Sequence, residues 1–555
     1  MLEMVGASGQ LQSRNCITEL CAAPSHKSGA WRHRAGGGQI GDWTAISPSS
    51  HASHRINSRA YDFNPADLDE AQKVQALQRA KLLPLIVACA LFMENTDSTV
   101  IATSLPMIAK SLGEDPIALK LALTSYLVSL AVFIPISGWM ADKFGARSVF
   151  RAALCIFMAG SVFCALSNSL GAFVVARFFQ GMGGAMMVPV GRLVILRSVS
   201  KAEMVSALAY LTVPALVGPV VGPPLGGFIT TYFDWRWIFF INIPIGLVGI
   251  VLSSLFFEDI REEDVAPLDL RGFILSAFGF AALMLGLATG GRHMVPEFVS
   301  YGCVLGGAAA LIAYWFHARR VPYPVLDLSL FRIPTFRIGV IGGSIFRTGI
   351  GAIPFLLPLM LQLGFGLDPL QSGLITFASA AGAMIMKTLA KSILAQYGFR
   401  RVLTFNALVG SAFLAASGLF TPTTPHAIML SVLLVGGCFR SLQFTGINAL
   451  SYSDVSNREM SSATSLSSVA QQLSLSMGVT IGAFALEAAN TFNGGKTLAA
   501  GDFWPAFVIV GLISASSALW MAQLAPDAGA EVSGHSPVSK RKLTAEAIAD
   551  QKPLD

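Results

Sequence analysis

The chain has 555 residues, of which 53% are hydrophobic and only 13% charged, with a formal net charge of +6 and a mean hydropathy of +0.61. A soluble globular protein carries about 25% charged residues, so this composition excludes an ordinary soluble domain and points to a chain threaded repeatedly through a membrane. The positive charge sits in short clusters between apolar runs with no interleaved basic and aromatic patch, which argues against a nucleic-acid partner.

Residues 1 to about 80 mix Gly, Ser, His and Arg with no apolar period and are expected to form a disordered tail. They show no charged start leading into an apolar run and cleavage site, so no signal peptide is read there. Cys16 and Cys21 lie in this tail, and the other five of the seven cysteines lie in apolar segments. No CxxC or zinc spacing occurs, so no disulfide framework, metal or other cofactor is expected.

The first apolar run, 82–109, reads LLPLIVACALFMENTDSTVIATSLPMIA. It exceeds the roughly 20 helical residues that cross a bilayer. Glu94 and Asp97 lie near its middle, three residues apart and therefore on one helix face. A carboxylate at mid-bilayer costs about 2.5–3.5 kcal/mol on insertion scales. Two readings stay open: an acid held structurally by a neighbouring helix, and a carboxylate that exchanges protons as a cavity opens to alternate sides.

Further runs follow at 119–141, 148–168, 170–196, 204–231, 236–257, 272–290, 298–317, 336–361, 371–396, 402–421, 426–450, 463–486 and 503–524. About fourteen membrane helices are therefore expected, joined mostly by short loops. One set of alternate loops is rich in cations, from Lys143, Arg147 and Arg151 through Arg319, Arg320, Arg332 and Arg337 to Arg400 and Arg401. The other set holds only Lys110, Lys120, Arg236, Arg292 and Lys496. The rich set is expected in the cytoplasm, and an even helix count puts both termini there.

The second and third helices are joined by GWMADKFGARSVFR. Gly138 is expected to let helices approach closely, and Asp142 to accept bonds from a helix N-terminus or an Arg. Gly145 permits a tight turn, while Lys143, Arg147 and Arg151 hold the loop inside; an ordinary positive-inside loop is the alternative. In the fourth helix, AFVVARFFQGMGGAMM, Arg177 is the only cation, and Gly181 and Gly184 leave room for a neighbour. Arg177 is expected to act on Asp97 or Glu94; the alternative is a structural cation bound to backbone carbonyls or snorkelling to the surface. The fifth helix, YLTVPALVGPVVGPPLGGFI, repeats Gly218, Gly222 and Gly226 every four residues, a smooth stripe for close helix contact. Pro214, Pro219, Pro223 and Pro224 remove donors and bend it. DWRWIFFINIPIGLVGI then places Trp235 and Trp237 at a membrane interface.

In order, these segments resemble the signature loop, the fourth-helix motif and the antiporter fifth-helix motif of the major facilitator superfamily. With LDLRG at 268–272, the run from Asp97 to Pro106 and the helix count, residues 82–525 resemble its drug:proton antiporter branch with fourteen spans. The resemblance implies an all-α membrane protein with a major facilitator fold. Its two six-helix bundles would span 81–257 and 336–525, with a linker at 258–335 carrying the extra helices 272–290 and 298–317. A cytoplasmic tail would follow at 526–555. The resemblance also implies that the signature loop latches the cytoplasmic gate and that Arg177 takes part in proton coupling with Asp97 and Glu94.

In the second half, Tyr397-Gly398-Phe399-Arg400 echoes the signature loop, but Ala395 replaces its Asp and Lys391 its first Gly. Arg347 and Arg440 lie deep in apolar runs, where an Arg is expensive and faces the interior. They are read as lining a cavity for an anionic or amphiphilic substrate together with Gln443 and Gln472, against the alternative of helix-to-helix pairing. Lys387 is read as snorkelling, and Phe133, Phe179 and Phe346 as core. Gly494-Gly495-Lys496-Thr497 imitates the end of a phosphate loop but lacks its first glycine and a preceding strand.

The expected protein is not an enzyme. It exports a hydrophobic or amphiphilic organic compound across the inner membrane in exchange for protons. Its partners are that small organic substrate, protons and the lipid bilayer, with a periplasmic adaptor as a further candidate. A nutrient facilitator or importer on the same fold, and a non-transporting receptor or scaffold, are the rival readings.

Overall fold

Backbone amides and carbonyls inside hydrocarbon have no water to bond, so apolar runs of this length must satisfy them internally as helix. The computed structural model describes residues 70–198, 204–258, 265, 267–290, 296–456, 459–494 and 498–533. These residues form helices, with no strand among them. The expectations for residues 1–69, for 534–555 and for Gly495–Thr497 lie outside the described residues.

The first half contains α1 (Glu70–Leu112), α2 (Lys120–Phe144), α3 (Ala146–Leu166), α4 (Leu170–Ser198), α5 (Met204–Tyr232), the short α6 (Trp237–Phe240) and α7 (Asn242–Phe256). Two helices follow, α8 (Leu270–Thr289) and α9 (Glu297–Ala318). The second half contains α10 (Pro334–Gly351), α11 (Ile353–Leu359), α12 (Pro369–Tyr397), α13 (Phe399–Ala416), α14 (His426–Ser451), α15 (Met460–Phe492), α16 (Phe503–Met521) and the short α17 (Ala530–Ser533). Among the described residues, 13 helical segments are long and apolar enough to cross a membrane, with Pro334–Gly364 acting as one span. Between the fourth and fifth of them lies α5, 29 residues without an Asp, Glu, Lys or Arg. Together they follow the expected apolar runs in order.

The first helix begins at Glu70, ahead of the apolar run and inside the expected tail. EAQKVQALQRAK is made of good helix formers, and extending an existing helix needs no new nucleus.

Within the first half α1 packs along α5 and touches α4 and α7, while α4 packs on α2 and α3. Within the second half α12 packs on α14, α13 on α16, and α10 on α15 and α16. The pair α8 and α9 pack on each other, with α8 resting on α2 and more lightly on α15. Contact between the halves runs through α5 with α12, and α2 with α15.

The glycine stripe explains how α1 and α5 come together. Gly218, Gly222 and Gly226 face Thr96, Thr99 and Thr103, one helical turn apart each. A Cβ at Gly226 would sit 2.6 Å from both Thr103 Oγ1 and the Val100 carbonyl oxygen, which no real side chain tolerates. Pro219 lies within the same stripe of α5 and carries no amide hydrogen.

The two halves share one turn. Gly145 ends α2 at φ 89° with its N–H bonded to the Ala141 carbonyl at 3.0 Å. Gly398 ends α12 at φ 75° with its N–H bonded to the Leu394 carbonyl at 3.0 Å. Positive φ is cheap only for glycine, so the repeated backbone survives although the side chains around Gly398 have diverged.

Candidate functional site

Asp97 sits on α1 and is 3% exposed. Its carboxylate accepts from Arg177 Nη1 at 2.7 Å, Gln180 Nε2 at 2.8 Å and Asn242 Nδ2 at 3.0 Å. The ion pair with Arg177 is buried on both sides, each side chain 1% exposed. Arg177 Nη1 also donates to Gln180 Oε1 at 2.5 Å, and its guanidinium lies 4.3 Å from the Tyr126 ring centroid. Gln180 Nε2 and Asn242 Nδ2 both donate to Ser161 Oγ, at 2.8 and 3.1 Å. The carboxylate thus ties α1 to α4 and α7, and Gln180 and Asn242 carry the network on to Ser161 of α3, with Tyr126 of α2 closing the cluster.

Small residues create the space for it. A Cβ at Gly160 would fall 2.6 Å from Gln180 Cα, so glycine there lets α4 reach α3. Gly181 and Gly184 lie against Ser129 and Tyr126 of α2, the neighbour that the sequence left unnamed.

The sequence reading paired Arg177 with Asp97 or Glu94, and the structure brings it to Asp97. Glu94 is half-buried, and its Oε2 is buried without a hydrogen-bond partner. Arg192 of α4 and Asp97 are the charged groups that act on it. Gln180, Asn242, Ser161 and Tyr126 were not singled out in the sequence. The first lies one turn after Arg177, and that spacing is the signal that could have found it.

At the signature loop, Arg147 Nη2 donates to the Ser254 carbonyl at the end of α7, and Arg151 Nη1 to Ser254 Oγ at 3.3 Å. Asp142 is half-buried near the end of α2. Gly138 departs from expectation: it is exposed, and a Cβ there would meet no atom within 4 Å. Among the described residues, no neighbouring helix approaches it.

In the second half Arg347 of α10 is 1% exposed and donates Nη2 to Asn448 Oδ1 of α14 at 2.7 Å. Arg440 is half-buried and forms part of a cleft inside the second bundle with Ser379, Leu357 and Phe413. Gln443 is fully buried and accepts from Asn406 Nδ2 at 2.9 Å, a bond between α13 and α14 rather than a cavity wall. Gln472 is half-buried on α15. Phe346 is core, whereas Phe179, read as core, is 47% exposed on the outer face of α4.

One end of the seam between the halves is closed. Gln362 Nε2 donates to the Thr103 carbonyl at 2.7 Å and Leu370 N–H to Thr231 Oγ1 at 3.1 Å. Nearby, Lys120 of α2 is fully buried with its Nζ 5.1 Å from the Phe484 ring centroid of α15. Toward the arginine-rich end the exposure of α12 increases. On α12 exposure grows from one face, at Leu374 and Phe377, to much of the circumference at Met384, Ile385, Lys387, Thr388 and Leu389.

The family model of the Major Facilitator Superfamily matches residues 87–479 and 339–545. MdtD of Salmonella paratyphi A, provisionally named as a multidrug resistance protein, is 41% identical over 400 residues, covering 71% of this chain and 84% of MdtD. MdtD of Salmonella typhimurium matches to the same extent, 41% over 400 residues. Among solved structures, a D-xylose-proton symporter matches with TM-score 0.58 at 15% identity, covering 81% of this chain and 98% of the symporter. The nucleoside transporter NupG matches with TM-score 0.58 at 14% identity, covering 80% of this chain and all 100% of NupG.

Proposed function

The chain belongs to the major facilitator superfamily, and from that premise we propose that it exports hydrophobic or amphiphilic organic compounds in exchange for protons. It is a multi-pass membrane protein and a secondary transporter. The efflux direction rests on the similarity to MdtD and on the glycine stripe of α5.

The observation that carries the coupling is the buried Asp97–Arg177 pair, bonded at 2.7 Å and fed by donors from α4 and α7. An ionised carboxylate is acceptor-only, so three converging donors suit it. A proton arriving at Asp97 competes with those donors. Its uptake and the rearrangement of the four helices are therefore one event. Glu94, half-buried with an unpartnered oxygen, is the second proton site or the first contact for a passing proton.

Alternating access follows if the halves rock about the seam. The rising exposure of α12 supports the arginine-rich end as the open one in this reading, and the distribution of Lys and Arg supports placing it at the cytoplasmic side of a cell's inner membrane. Closing that end brings the signature loop, with Gly138 and Asp142, toward the second half while the contacts of Gln362 and Leu370 part.

The test is an efflux panel in a pump-deficient host, with and without a protonophore. An exporter of this kind lowers drug accumulation only while the gradient stands. Efflux that persists after the gradient collapses would instead identify a facilitator. Ligand binding with no flux at all would identify a receptor.

A further inference from the structure

Asp97 is sealed from solvent: its side chain and that of Arg177 are each 1% exposed. A proton bound there has to be handed in and out by a neighbouring group. Two side chains beside it that can give up a proton each hold a buried polar atom without a hydrogen-bond partner: Glu94 Oε2 of α1 and the Tyr126 hydroxyl of α2. Glu94 lies one turn before Asp97 and is only half-buried, so it reaches from the dry cluster toward a surface. Tyr126 is 2% exposed, and the Arg177 guanidinium lies 4.3 Å from its ring centroid. Glu94 is the charged group that acts most strongly on the Tyr126 hydroxyl, followed by Asp97 and then Arg177. Gly184 of α4 leaves room over that hydroxyl, because a Cβ there would stand 3.0 Å from it.

Buried polar groups are normally hydrogen-bonded, so one that is not calls for a role. A hydroxyl is both donor and acceptor, and can take a proton on a lone pair while giving up its own. We infer that the Tyr126 hydroxyl relays protons between Asp97 and Glu94, and that Glu94 exchanges them with the aqueous side. On release, protonated Asp97 gives its proton to the tyrosine oxygen, and the tyrosine's own proton passes to the Glu94 carboxylate. Asp97 ends ionised, Glu94 neutral and Tyr126 as it began. Uptake runs the same steps backwards. Each transfer needs hydrogen-bond reach, direct or through one water. Arg177 braces the tyrosine ring and stabilises Asp97 as its charge returns. This rests on the transporter reading above and names the path its proton takes.

The experiment is a pH jump on the purified full chain, with the carboxylic-acid carbonyl band followed by time-resolved infrared. The part of the signal that Asp97→Asn removes belongs to Asp97. Tyr126→Phe keeps the ring against Arg177 and removes only an unpartnered hydroxyl, so its melting temperature and the final size of the band should match wild type. Its proton exchange at Asp97 should slow by at least about tenfold. Glu94→Gln should slow it by a similar factor, and the double variant no further, because both groups stand on one path. An unchanged rate in Tyr126→Phe would overturn the inference, and the whole band decides that even where Asp97→Asn does not fold. A wild-type band that ignores pH would overturn it too, as would a slowing matched by a fall in melting temperature, which marks a structural role. The jump needs no substrate. Relay kinetics as expected, with no proton-driven flux in the efflux panel, would sink the transporter reading alone. Proton-driven flux together with a wild-type rate in Tyr126→Phe would sink the relay alone.

Discussion

Asp97 spends its lone pairs on Arg177, Gln180 and Asn242, so removing any one of these groups strands the others in a dry site. Breaking a buried pair by deleting one partner costs about 3–5 kcal/mol, because a bare charge remains. Asp97→Asn and Arg177→Gln should each lower the melting temperature in detergent. The double variant should recover most of that loss while staying unable to couple protons. A double variant less stable than either single would show that the two are not a matched pair. Gln180→Leu leaves Asp97 and Ser161 short of a donor, and a loss of about 1–3 kcal/mol is expected from the same melt. A pairing of Arg177 with one of the two acids of α1 was expected, because a charge in hydrocarbon needs an opposite charge, but the choice of Asp97 over Glu94 was not legible. Gln180, Asn242 and Ser161 were not legible either, since neutral polar residues are common in membrane helices and do not announce their neighbours. For the same reason the choice between cavity wall and helix-to-helix bond stayed open for Gln443: its depth was readable, but not the fact that Asn406 faces it.

Helices are where the sequence spoke most clearly. Apolar runs of sufficient length leave the backbone one option, and the glycines of α5 mark a face that must touch another backbone. The partner, α1, was not named by that stripe. Gly226→Val should overpack α1 against α5 and cost about 1–3 kcal/mol, measured by unfolding in detergent. Gly138→Val makes the opposite case. Nothing lies within 4 Å of its Cβ position, so the melt should shift by no more than about 0.5 kcal/mol. Transport should nevertheless fall, because the closing of the arginine-rich end brings a helix to that spot. Unimpaired transport by Gly138→Val would remove this residue from the gate. The start of α1 was misjudged because charged helix formers before Leu82 carry no hydropathy signal.

Across the whole molecule, two halves were expected only through the resemblance to the superfamily; the echo at Gly398 was degenerate in sequence, although the structure repeats the positive-φ turn of Gly145 there, and how the halves meet was not legible. Two packings of one transporter differ by a few kcal/mol, and a sequence encodes both. The closed end can be tested directly. In a cysteine-free background, Thr231→Cys with Leu370→Cys should crosslink across the seam on oxidation and stop flux, and a reductant should restore it. Flux that continues through the crosslinked protein would exclude rocking about this seam. The central claim is that moving hydrogen ions through Asp97 drives export. Its most direct measurement is proton movement reported by a trapped pH dye in proteoliposomes, after adding a substrate found in the efflux panel. The wild-type chain should release protons down the gradient when substrate is added, and Asp97→Asn should bind substrate yet move none. Undiminished substrate-driven proton flux in Asp97→Asn would contradict the account.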